Sequence, residues 1–261
     1  MRISFRRSIG ALSVALVLCL TTVAIPAPQK KGSSKGNKMS SSQSQASRGG
    51  GSGASIPGGR ANDAARHSRE AAQVLNEIMS KPDNAIPRGL LDKAEAVAVF
   101  PGVLKAAFGI GGRKGQGVVS RRTPSGWSAP AYYNLGGGSF GAQIGAEKMD
   151  IVLLIMNEGG LKGLMSDKFE LGGEVGVAAG PYGRNAGAST TPTADAGILT
   201  YSRSKGAYIG AALKGVAITP DNDLNQAYYG EKADAVLTSG MAAPAQVRAF
   251  PLALSRYSSR R

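Results

Sequence analysis

Side chains that carry chemistry are scarce in this chain, which has one cysteine, one histidine and one tryptophan among 261 residues. Cys19 lies within an apolar run, so the residues after it offer no disulfide, thiol nucleophile or cysteine metal ligand. His67 cannot build a zinc site by itself, and its place beside an apolar helical stripe fits a packing residue at a core boundary. No Gly-Lys-Ser/Thr triplet occurs. In "GIGGRKG", Lys114 stands where a dinucleotide fingerprint needs its third glycine. Asp221 and Asp223 in "TPDNDLN" lack the further acids and closing Glu of an EF-hand, and read as a capped turn. With no nucleophile–base pair and no metal cluster to name, the sequence predicts a non-catalytic protein without a cofactor.

Acidic residues are absent from positions 1–60, which hold nine of the 31 Lys and Arg. The remainder carries 22 basic against 17 acidic residues, so most of the net charge of +14 sits in the tails. A nearly neutral body lacks the field of a phosphate-tracking protein, and specific nucleic-acid binding is not expected. Arg2, Arg6 and Arg7 precede an apolar run from Ile9 to Ile25, with small residues near Ala24 and Ala27. This is the pattern of a secretory signal peptide over residues 1–26, or of an anchor if it is retained. Leu18 is too large for the residue before a lipidated cysteine. Export to the periplasm or the cell exterior, peripheral to a membrane, is therefore the expected location. Residues 27–60 are rich in Gly, Ser and Lys and too poor in apolar side chains to offset their ordering entropy, so they read as a flexible basic linker. A folded domain is expected over 61–235, followed by a short helix and basic tail over 236–261.

Within the body one glycine spacing occurs twice: Gly138, Gly141 and Gly145 recur as Gly173, Gly176 and Gly180. Around both copies apolar residues alternate with period two, which predicts glycines inside strands, where a sheet bends or another group approaches closely. Strands are expected near 105–111, 115–121, 129–134, 138–147, 168–179, 196–203 and 206–218. A helix is expected from a cap at Asn62 or Asp63 to about Ser80, then a short helix leading into a strand at Ala96–Phe100, and another over 157–167. The run "DIVLLIM" fits a buried strand or the start of a helix. The predicted class is α+β: a curved, largely antiparallel sheet or barrel-like β core with helices at both ends.

The segments "FPGVLKAAFGIGGRKGQGVV", "GWSAPAYY", "GGGSFGAQIGAEKMDIVLLIMNEGGLKGLMSDKFELGGEVGVAAGPYGR", "ILTYSRSKGAYIGAALKG" and "DNDLNQAYYG" resemble, in this order, a SYLF domain over roughly 63–230. The resemblance implies a lipid-binding domain. Eukaryotic relatives bind phosphoinositides, fungal ones also bind actin, and bacterial ones are exported and stand alone. It also implies membrane contact through the part matching 63–93, where Arg66, Arg69, Leu75 and Ile78 are the candidates. Glu70 and Glu77 dilute the basic face of that helix, so docking on the sheet is the competing expectation.

For anionic headgroups the candidates are cations beside exposed backbone: Arg113 and Lys114 first, then Arg121 and Arg122 at a strand end, then Arg203 and Lys205 at a hairpin tip. One basic residue at an anionic surface contributes about 1 kcal/mol, so several must converge. An ordinary solvated turn is the plain alternative for each cluster. The expected function is non-catalytic association with anionic phospholipid at a membrane surface. The alternative is a structural or protein-interaction domain of the cell envelope.

Overall fold

The computed structural model describes residues 58–83, 85–173, 175–181, 183, 196–204, 207–210, 213 and 215–258, without the side chains of 108–110, 139–144 and 207–210. The expected signal peptide and Lys205 lie outside the described residues, as does nearly all of the expected linker. Among the described residues, six helices and eight strands follow in order. Helix α1 (Gly58–Met79) and the short α2 (Arg88–Lys93) precede β1 (Ala96–Thr123), β2 (Gly126–Trp127) and β3 (Ala131–Ile155). Then come α3 (Glu158–Leu164), β4 (Phe169–Leu171), β5 (Val177–Ala179), β6 (Ile198–Ser204), β7 (Ala207–Gly210) and β8 (Val216–Pro220). The chain closes with α4 (Asn222–Tyr229), α5 (Ala233–Thr238) and α6 (Ala249–Tyr257).

The eight strands form one nearly closed, barrel-like mixed sheet flanked by helices. Its frame is a long ribbon in which β1 pairs antiparallel with β3 from Ala96↔Ile155 to Val119↔Ala131. Residues 99 and 117 would stand about 60 Å apart in an extended strand, yet the ribbon coils until they touch. A Cβ built on Gly117 would lie 2.3 Å from the Val99 carbonyl oxygen and 2.5 Å from the Phe100 ring. The Arg122 N–H closes the circuit by donating to the Glu95 carbonyl at 2.8 Å. Register shifts at Phe100/Val103 and Phe108/Ile110 supply the bends. Of the eight strands, only β5 and β6 pair in parallel.

Both faces of the ribbon ends are buried. Val97, Val99, Val118, Tyr132, Val152, Leu154 and Tyr201 pack outward beneath α1 and α6. Phe100, Val119, Tyr133, Leu135, Ile151, Leu153 and Ile155 pack inward with Leu161, Leu164, Val236 and Leu237. This resolves "DIVLLI" as a strand: with both faces covered, the period-two alternation disappears. Helix α3 forms despite its glycines because they let it sit close. A Cβ on Gly163 would meet the Phe169 ring at 2.4 Å, and one on Gly160 the Gly197 carbonyl at 2.8 Å.

The sequence reading is corrected at three places. Helix α1 starts at Gly58, so Asn62 and Asp63 are interior rather than caps, and Asp63 pairs with Arg66 at 3.3 Å. The second glycine copy is not strand interior: the expected strand 168–179 splits into β4 and β5 around a turn, with Gly172 at φ 83° and Gly173 N–H donating to the Glu170 carbonyl. Residues 112–114, expected to separate two strands, lie inside the continuous β1.

At the C-terminal end, α6 joins the core through Phe250, Ala253 and Leu254, with Val247 just before it. The Ser68 hydroxyl ties α1 to it, donating to the Val247 carbonyl and accepting from the Phe250 N–H.

Candidate functional site

The structure does not bring the six headgroup candidates together. Arg122 is held by the fold: its guanidinium donates to the Ala94 and Leu91 carbonyls at 3.2 and 2.8 Å and to the Ser258 hydroxyl, and stacks 4.2 Å from the Trp127 ring. Trp127 is buried, as expected of a core residue. Arg203 is bound to Glu77 of α1 and lies 3.5 Å from Asp150, which in turn accepts from the Gly102 N–H. Tyr201 behind it is buried, its hydroxyl donating to the Pro181 carbonyl. Arg121 is half-buried at the end of β1, near the hairpin that leads through β2.

Arg113 and Lys114 are neighbours in a regular strand, so their side chains leave opposite faces. Lys114 is exposed on the outward face, whereas Arg113 turns inward and its Nε is buried without a hydrogen-bond partner among the described residues. Neither has an ion-pair partner among the described residues. Both border a depression of about 480 Å³ whose outward side is built from Lys114, Asn134, Gly136, Ala217 and Thr219. Registers place Lys114, Gly136 and Ala217 in one cross-strand row and Gln116, Asn134 and Thr219 in the next. The bare floor of Gly136 and Ala217 leaves the backbone open there.

The candidate membrane-contact helix is docked. Leu75 and Ile78 are fully buried against the sheet, so the apolar face expected at a membrane is already covered by protein. Arg66 is engaged by Asp63 and Glu70, while Arg69 is exposed.

A second depression, of about 240 Å³, opens beside the first, lined by Arg60, Asp63, Arg66, His67, Gln116, Asp221, Asp223 and Leu224. Gln116 divides the two, its Nε2 lying 3.4 Å from Asp221 Oδ2. Asp221 caps α4, accepting from the Leu224 N–H at 3.1 Å, as the capped-turn reading expects. His67 is buried beside Tyr132. Since the Arg66 guanidinium 3.3 Å from Nε2 can only donate, Nε2 accepts and the imidazole is neutral with its proton on Nδ1. Burial, and secondarily Arg66, pushes its pKa down.

Sequence reasoning missed Asn225, fully buried, whose amide accepts from the Tyr132 N–H and donates to the Tyr132 carbonyl, both at 2.9 Å. It extends the ladder of β3 with a side chain and fixes α4 beside the two depressions. Around it Tyr132, Tyr228 and Tyr229 form a ring cluster with centroids 4.7 to 6.4 Å apart.

Residues 136–257 match the family Ysc84, described as "Las17-binding protein actin regulator". The chain is 35% identical over 171 residues to SH3 domain-containing YSC84-like protein 1 of Xenopus laevis, covering 63% of this chain and 51% of the relative. It is 34% identical over 188 residues to LAS seventeen-binding protein 3 of Saccharomyces cerevisiae, covering 68% and 40%. Protein YSC84 of the same yeast is 33% identical over 196 residues, covering 71% and 41%. The chain thus spans about half or less of the length of these relatives.

Proposed function

The chain belongs to the Ysc84, or SYLF, domain family, and from that premise we propose that it is an exported, non-catalytic domain that associates with anionic phospholipid headgroups. The family is one of protein-interaction domains rather than of catalysts. The observation that carries the lipid reading is an inventory of cations. Arg122 and Arg203 are consumed by carbonyls and carboxylates, whereas Lys114 is exposed beside an open depression and has no ion-pair partner among the described residues. Membrane contact falls on the sheet face around Lys114 rather than on α1. Export rests on the N-terminal basic and apolar pattern.

Cosedimentation of the full chain with acidic vesicles at two salt concentrations tests this. Salt-sensitive pelleting, reduced by replacing Arg113 and Lys114 together with Gln, is the expected result. Equal pelleting with neutral vesicles, or none, rejects it.

The descriptions of the family and of its yeast relative, both by Las17 binding, favour a second reading in which the ligand is another protein. Crosslinking in the cell envelope followed by size analysis separates the two; a monomer with no partner counts against the protein reading.

A further inference from the structure

One stretch of the long ribbon reverses the usual polarity of a sheet. A Cβ built on Gly115 would lie 2.7 Å from Val103 Cγ2, although the two residues would stand about 40 Å apart in an extended strand. The ribbon therefore loops out and returns, forming an arch over residues 104–114 of β1 and 137–148 of β3. Among the described residues β3 pairs with β1 alone along this stretch, since the pairing with β8 ends at Gly136 and that with β6 begins at Asp150. Strand parity assigns the two faces. Val103 and Met149 are core residues, so Lys105 and Glu147, opposite each other two positions on, lie with them on the concave side. Both are half-buried, and Glu147 accepts from the Ser204 hydroxyl. The convex side carries Leu104 opposite Lys148, Ala106 opposite Ala146 and Phe108 opposite Ile144. Past the register shift, Ile110, opposite Phe140, shares the row of Lys114. Leu104, Ala106, Ala146 and Lys148 are exposed, and Leu104 is one of two large apolar side chains exposed among the described residues.

A ribbon wetted on its outside normally turns polar residues to water and apolar ones inward. Here opposite charges stand inside and apolar residue types outside, the alternation of strands that face lipid. Charge selects the occupant. Lys148 stands at one end of the convex row and Lys114 at the other, both exposed and without ion-pair partners among the described residues. Glu147 is the one acid within residues 103–116 and 134–149, and it lies on the concave side. An apolar crest flanked by cations and free of acids complements an anionic bilayer. We propose that this crest enters the headgroup and upper acyl region of such a bilayer, seated by Lys114 and Lys148. The proposal rests on the lipid reading above and deepens it by adding apolar insertion, and a second cation, to the contact at Lys114. Two cations alone give a weak, salt-screened attachment; the crest supplies the part that salt does not screen.

The test uses the full chain and vesicles of phosphatidylcholine mixed with phosphatidylglycerol, at low and high salt. Leu104→Ser and Lys148→Gln are run beside the parent, with melting midpoints to check that the fold is kept. Leu104→Ser should weaken binding about fivefold at both salt concentrations. Lys148→Gln should weaken it about fivefold at low salt and little at high salt. A second measurement follows position rather than affinity. A polarity-sensitive dye on Leu104→Cys, in a chain carrying Cys19→Ser, should shift to the blue on these vesicles, whereas the same dye on Arg69→Cys of α1 should not. Either a Leu104→Ser variant that binds like the parent, or a dye at position 104 that stays unshifted on pelleted protein, overturns insertion while the lipid reading stands. A shift at position 104 that grows with protein concentration in the absence of vesicles gives the crest to a second copy and also overturns it. Failure to pellet with any vesicle removes the lipid reading itself.

Discussion

Arg122 and Lys114 lie on the same strand, yet one is a structural element and the other a free charge. Near Arg122 the ribbon returns to its own beginning, so the carbonyls left at the end of α2 and the Trp127 face surround the guanidinium. Its planar fork aims donors in fixed directions at several acceptors while its face stacks on the ring, a geometry that a compact ammonium cannot reproduce. At Lys114 the ribbon crosses a bare part of the sheet, and the cross-strand neighbours are a glycine and an alanine. A cation is committed where helix ends leave carbonyls unpaired, and available where small residues line the sheet. Basic residue counts alone do not separate these situations.

The largest effect should follow removal of the committed charge. Arg122→Ala should lower stability by about 3 kcal/mol in chemical denaturation, since buried carbonyls lose their donor and the Trp127 ring its cover. Arg122→Lys should recover only part of it; a loss under about 0.5 kcal/mol would erase the distinction between the two sites. Arg203→Gln should cost about 1–2 kcal/mol, less because the pair with Glu77 and Asp150 is only partly buried. A thermal melt series reads this directly, and an unchanged midpoint contradicts it.

The third effect is pH dependence. The folded state holds the His67 pKa below its unfolded value of about 6.5. The unfolded chain therefore takes up the proton first as pH falls. The contribution is full above about pH 6.5 and is lost on acidification through the folded pKa. Replacing His67 with Gln should flatten that part of the stability profile, and an identical slope in the variant would contradict it. The smallest structural effect belongs to Lys114→Gln, expected within about 0.5 kcal/mol of the parent in stability while weakening vesicle binding about fivefold. Marked destabilisation would place Lys114 with Arg122 instead.

Much of the fold was legible because apolar periodicity reports burial. The strand 96–100, the helix at 158–164 and the class itself follow from it, and the glycines at 136–145 do lie in a strand of a strongly curved ribbon. The second glycine copy misled because Phe169, Leu171, Val175 and Val177 alternate across what is a turn, not a strand. Arg113 and Lys114 looked like a pair because glycines on both sides suggested a loop; within a strand, adjacency in sequence means opposite faces. Asn225 and Ser68 left no local signal, since their partners are main-chain atoms distant in sequence. The same limit hid the commitment of Arg203 to Glu77.

The most direct test of the central claim is vesicle cosedimentation of the full chain and its Arg113→Gln, Lys114→Gln variant at low and high salt. Pelleting with acidic vesicles that falls with salt, and falls several-fold in a variant whose melting midpoint is unchanged, is the predicted outcome. Pelleting that ignores both salt and substitution would contradict the account.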